Sequence, residues 1–140
     1  MDAMLEDILS VKGLFSITGR RARLAYFCTG VALSIANGII KNALAGHSFI
    51  LFIIAVAFAW AGFCNTAKRL HDMNYSCLWA IVIAIISFII IFAGVIFTIV
   101  TQTAGGAIVA ALCGLVVNIC MCFIKGTDGP NKYGPDPLAK

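Results

Sequence analysis

Residues 77–100 read CLWAIVIAIISFIIIFAGVIFTIV, with no Asp, Glu, Lys or Arg in the stretch. A bilayer core of about 30 Å needs about 20 apolar residues in helical form, and this run exceeds that. Its many Ile, Val and Phe residues favour strands. The run is nevertheless too long for a strand and lacks the apolar–polar alternation of a membrane barrel. It predicts a helix that crosses a membrane.

Working outward, three more stretches meet the same criterion, at 24–44, 48–66 and 105–124. The fold class expected is an all-α membrane protein. It is a four-helix bundle of two antiparallel hairpins, preceded by an amphipathic interfacial helix over 1–13 and followed by a turn-rich tail over 125–140. Ala45-Gly46-His47 and Thr101 to Ala104 are short connections, as tight helical hairpins require. Ala67 to Ser76 is the longer, charged connection between the pairs. All 140 residues form one membrane domain. The composition agrees: 61% of residues are hydrophobic, 11% are charged and mean hydropathy is +1.01. Soluble domains are about half apolar and about a quarter charged.

The net charge of +4 is an orientation signal and does not call for nucleic acid. With four spans, the N-terminus, the Ala67–Ser76 connection and the C-terminus share one side. That side holds every basic residue except Lys41, which can snorkel from the end of the first span. Basic loops stay cytoplasmic, which predicts both termini inside. The acidic start, Asp2, Glu6 and Asp7, is unlike a cleavable signal peptide. With Met1, Met4, Leu5 and Ile8 at helical spacing, it reads as a surface helix that Gly13 ends. Six cysteines lie in or beside apolar segments with no C-x-x-C pair, so neither metal nor disulfide is expected, and no cofactor.

Two stripes of small residues suggest how the spans pack. Gly30, Ser34 and Gly38 recur on the first. Gly106, Ala110 and Gly114 recur on the fourth, followed by Asn118. Such stripes let helix backbones approach in lipid, so the first and fourth spans are expected to pair. Asn37, Asn65 and Asn118 need partners in lipid and should face inward.

The polar chemistry falls in three clusters. Phe15 to Arg23 contains Thr18, a candidate N-cap for the first span, then Arg20, Arg21 and Arg23, with Tyr26 and Phe27 placed as interfacial aromatics. Lys68 to Ser76 contains Arg69, His71 and Asp72, with Ser76 as a candidate cap. Lys125 to Pro137 contains Asp128, Asn131, Lys132, Tyr133 and Asp136, with Gly126 suited to the end of the last helix. If these clusters converge, Arg20, Arg23, Arg69 and His71 form a basic patch with Asp72, Asp128 and Asp136 as counter-charges. Arginine grips phosphate through paired hydrogen bonds. The expected site is therefore Arg20, Arg23, Arg69, His71, Asp72, Asn131, Lys132 and Tyr133. Its ligand is the headgroup of a membrane lipid, anionic by charge, or a membrane-protein partner.

These motifs together resemble the domain-of-unknown-function 805 family of YhaH-like small bacterial inner-membrane proteins. The resemblance rests on Phe15 with Gly19-Arg20 and Arg23, on Arg69-Leu70-His71-Asp72 with Ser76 and Trp79, and on Gly126-Thr127 with Gly129-Pro130-Asn131-Lys132-Tyr133-Gly134-Pro135-Asp136-Pro137. It covers about Phe15 to Pro137. The sequence departs from the family where a Gly is usual, near Asn74 and at Cys77. The resemblance implies a four-helix membrane fold and a bacterial source, with no established activity.

Three functions compete on these residues. The first is a non-enzymatic protein whose cytoplasmic face binds anionic lipid or another membrane protein. The second is a small transporter or channel, as a homo-oligomer, with Asn37, Lys41 and Asn118 along its path. No Asp, Glu or Arg lies within the spans to carry proton coupling. The third is an enzyme on lipid with His71 as base and Asp72 as its orienter, although adjacent helix residues do not face one another.

Overall fold

The computed structural model describes residues 10–138. The described residues contain five helices: α1 (Val11–Phe15), α2 (Arg23–Ala43), α3 (Ser48–Asp72), α4 (Cys77–Thr101) and α5 (Gly105–Phe123). The described residues hold no strand beyond one isolated bridge between Asn131 and Gly134. Helices α2 to α5 are each long and apolar enough to cross a membrane. By length and composition this is a multi-pass membrane protein.

The four long helices pack in a closed ring: α2 on α3, α3 on α4, α4 on α5, and α5 back on α2. The tightest seam is α4 against α5. There Gly94 and Gly106 meet backbone to backbone. A Cβ at Gly94 would lie 2.6 Å from the Gly106 carbonyl oxygen and 3.1 Å from the Ala110 Cβ. Gly106 and Ala110 therefore pack on the third span, not on the first as their stripe suggested. Gly94 is the cause, since it alone removes a side chain from an Ile- and Phe-rich surface. Gly38 and Gly114 have nothing within 4 Å of a built Cβ, and Gly30 meets only the Asn65 amide at 3.9 Å. Between α2 and α5 the helices part around a groove of about 550 Å³.

Burial is uneven along the bundle. The buried apolar residues Ala22, Ala25, Tyr26, Ala67, Leu70, Met73, Ala80 and Met121 cluster at the start of α2 and α4 and the end of α3 and α5. Most of the remaining apolar surface is exposed, as a lipid-facing wall must be. The core thus sits at one end, where the polar clusters also lie.

Helix α3 explains part of that concentration. The apolar stretch 48–66 is the body of a longer helix that continues through the charged residues to Asp72. Residues 67–72, read from sequence as connection, are its last turns, all of them buried. The connection shrinks to Met73–Ser76. Asn74 takes φ 63° there, a left-handed conformation that Asn tolerates and Gly adopts freely.

Of the expected interfacial helix over 1–13, residues 1–9 lie outside the described residues. Gly13 does not close the segment; it stands inside α1, and its N–H donates to the Ser10 hydroxyl at 2.9 Å. Helix α1 leaves orphan carbonyls at its end, and α3 supplies their donors. Lys68 Nζ donates to Gly13 O at 2.7 Å, and Trp60 Nε1 to Phe15 O at 3.1 Å.

Candidate functional site

Asp72 is the centre of the polar end. Both nitrogens of Arg20 that face it donate to Oδ1, Nε at 3.2 Å and Nη2 at 3.0 Å. Arg69 Nη1 donates to Oδ2 from one helical turn earlier. The two guanidinium-bearing side chains are 1% and 0% exposed. Arginine keeps its charge in proteins, so two buried cations share one buried carboxylate.

Backbone oxygens supply the rest of the compensation. Arg20 Nη1 donates to Gly129 O at 2.6 Å, and Nη2 to Thr127 O at 2.7 Å. Arg69 Nε donates to Met121 O at 2.8 Å, Nη1 reaches Arg21 O at 3.4 Å, and Nη2 donates to Ile124 O. Met121 and Ile124 lie at the end of α5, where helix carbonyls lack internal donors. Arg69 therefore caps α5 from α3, while Arg20 ties the start of α2 to the returning tail.

The tail closes over this node. Thr127 donates to Asp72 O twice, from its N–H at 2.8 Å and its hydroxyl at 2.9 Å. Asn131 Nδ2 donates to His71 O and to Thr127 Oγ1, both at 2.9 Å. Gly126 passes against the Asp72 carboxylate so closely that a Cβ there would strike it. That close approach is what Gly126 provides; α5 already ends at Phe123, with Ile124 as its cap.

Within the expected headgroup site, these bonds turn Arg20 and Arg69 inward. Every side-chain nitrogen of Arg20 and Arg69 donates to a protein oxygen, so neither is left to hold a phosphate. Asn131 is likewise engaged. Among the described residues, Asp72 is the carboxylate that Arg20 and Arg69 bond: Asp128 pairs with Lys125 at 2.7 Å on the exposed surface. Asp136 accepts from the backbone N–H groups of Gly129 and Leu138. Those two bonds, the Leu138 one foremost, hold its carboxyl below the usual range. Arg23 and Lys132 are exposed, and Lys132 Nζ rides 5.0 Å from the Tyr133 ring centre.

His71 and Asp72 do not form a pair. His71 Nδ1 lies 3.2 Å from Gly19 O, so it carries the ring proton. The ring stacks on Tyr133 with centroids 3.9 Å apart and planes 6° from parallel. Its Nε2 is buried and unpartnered among the described residues. An imidazole held this way has neither a carboxylate to orient it nor an open face for a substrate.

The asparagines separate as well. Asn65 accepts from Arg21 Nη1 at 2.9 Å and donates to Tyr26 O at 3.2 Å. Asn118 accepts from the Tyr26 hydroxyl at 2.8 Å. Tyr26 is accordingly buried and is no interfacial aromatic; its neighbour Phe27 is exposed. Asn37 lies about 16 Å further along α2 at about 1.5 Å per residue, with its Oδ1 unpartnered among the described residues and Lys41 exposed. Asn37 and Lys41 share a face of α2, whereas Asn118 is engaged by Tyr26 and Gly114 near the other end.

Sequence reasoning missed Thr127, Gly94 and the burial of Arg21 and Lys68. The cap positions also moved. Thr18 bonds Ser16, and Ala22 stands at the N-cap of α2. Ser76 occupies the N-cap of α4 but makes no side-chain cap bond.

Residues 14–135 match the family model described as protein of unknown function (DUF805). The chain is 32% identical over 128 residues to the uncharacterized protein YiiR of Escherichia coli strain K12. The match covers 88% of this chain and 86% of that protein. The uncharacterized YiiR of Escherichia coli O157:H7 matches to the same extent. No solved structure gives a significant match.

Proposed function

This chain belongs to the DUF805 family of proteins of unknown function, and from that premise we propose that it is a non-enzymatic protein of the bacterial inner membrane whose polar end binds anionic lipid headgroups. Its four spans form two antiparallel hairpins, with both termini in the cytoplasm. The node of Arg20, Arg69 and Asp72 is the scaffold of this end, and the outward cations Arg23, Lys125 and Lys132 are its contact surface.

The observation that carries this reading is the division of the basic residues into two classes. Arg20 and Arg69 are internal and fully bonded. Arg23, Lys125 and Lys132 are exposed at the same end of the bundle. Cations next to a membrane span attract anionic lipid by about 1 kcal/mol each. The separation of His71 from Asp72 supports a non-catalytic reading.

Native mass spectrometry of protein extracted from bilayers with equal phosphatidylglycerol and phosphatidylethanolamine tests it. The expected result is preferential retention of phosphatidylglycerol, reduced in the Arg23→Gln/Lys132→Gln double variant. Equal retention of the two lipids, unchanged in the variant, would sink the proposal. Labelling of cysteines introduced at Ser16 and Lys132 in inverted and right-side-out vesicles tests the orientation. Labelling from the periplasmic side refutes it.

A further inference from the structure

The groove between α2 and α5 is lined by apolar side chains, among them Phe27, Ile35, Leu115, Ile119 and Phe123. Its few polar groups are already satisfied. The Tyr26 hydroxyl and the Asn118 carbonyl bond each other, Asn118 Nδ2 donates to Gly114 O, and Ser34 donates to Gly30 O. A polar ligand would find no open partner, so the groove suits an apolar occupant. Its volume, about 550 Å³, lies within the about 300–1,000 Å³ of ligand pockets.

Length and charge select among apolar occupants. On α2 the lining runs from Tyr26 to Ile35, about 14 Å at about 1.5 Å per residue. That is close to half of a hydrocarbon core of about 30 Å, the depth of one leaflet. The helix itself continues beyond the groove to Ala43. Arg23, Phe27, Gly30 and Ser34 follow helical spacing on one stripe of α2, so exposed Arg23 stands at the groove's polar end.

We propose that this groove seats one acyl chain of an anionic phospholipid whose phosphate rests on Arg23. The inference builds on the lipid-binding reading above and adds a defined chain seat to it. Arg23 offers an exposed guanidinium with no carboxylate of the described residues on it, at the depth where a phosphate belongs. The apolar walls then fix a single chain below it.

The test uses the full chain in the same bilayers, with Ser34→Phe filling the groove from α2 and Leu115→Trp filling it from α5. Both positions are exposed, and a detergent melt confirms that each variant is folded. Wild type is expected to retain one phosphatidylglycerol. Each filling variant should cut that retention by at least about tenfold, as when several methylenes lose their seat, and Arg23→Gln should cut it as well. Unchanged retention in both filling variants, with Arg23→Gln still lowering it, overturns the chain seat and leaves the surface reading intact. Equal loss of both lipids in the filling variants, with no effect of Arg23→Gln, overturns the anionic headgroup and so the proposal. A dimer that Ser34→Phe converts to monomer, with the lipid count unchanged, assigns the groove to a second copy and overturns it too.

Discussion

Replacing Asp72 with Asn keeps the side chain's shape and removes its charge. Arg20 and Arg69 then remain buried, at 1% and 0% exposure, with no carboxylate between them. Breaking a buried ion pair by removing one partner costs about 3–5 kcal/mol, mostly from the stranded charge. Here the stranded cations keep their backbone carbonyls, including Gly129, Thr127, Met121 and Ile124. That places the cost near the lower end, about 3 kcal/mol. At about 4 °C per kcal/mol for a domain of this size, the melting temperature falls by about 12 °C. A fluorescence melt in a mild detergent reads this directly. Adding Arg20→Gln removes one stranded cation, so the double variant should lose less than the sum of the two single losses. Asp128→Ala is the control. It breaks a pair whose side chains are 66% and 81% exposed and should change little. An Asp72→Asn protein that melts within about 2 °C of wild type would show that Asp72 is not the counter-charge on which this end is built.

Three further outcomes follow from the close contacts and the tail. Gly94→Ala drives a methyl into the Gly106 carbonyl and should cost about 1–3 kcal/mol by overpacking, whereas Gly38→Ala, with open space around it, should melt like wild type; equal melts for the two would refute the α4–α5 seam. Gly126→Ala places a methyl on the Asp72 carboxylate and should release the tail, seen as faster proteolysis between Lys125 and Lys132 with the spans still intact. Asp136 has a folded-state carboxyl held below its ordinary range, so its contribution is complete above that range and fades as pH falls through the lowered value. Amide exchange at Gly129 and Leu138, compared between neutral and strongly acidic pH after correction for intrinsic rates, should show protection lost only at the acidic end.

The four spans were legible because apolar length alone decides them. Residues 77–100 admit no other reading in a helical chain, and α4 follows from them. The end of α3 was not legible. Lys68, Arg69, His71 and Asp72 look like a solvated loop by residue type, and they are helical and buried because α1, α2 and the tail enclose them. Local pattern does not encode that enclosure. The seam partner of α5 was missed for a related reason. Gly94 is a lone small residue in a bulky run and forms no stripe, yet a single backbone approach needs only one. The arginines were identified as the centre of the site, but their direction was misjudged. Whether a guanidinium turns outward to phosphate or inward to carbonyls depends on Thr127 and Gly129 returning to meet it, more than a hundred positions later.

That return has a consequence for how the chain matures. Arg20 and Arg69 emerge early in synthesis, while the carbonyls of residues 121–134 that satisfy them emerge last. Until then the two cations have only Asp72, the Arg21 carbonyl and water. A chain stopped before Gly126 would lack the Thr127 and Gly129 carbonyls that bond Arg20 and would leave that guanidinium to water at the bundle's end.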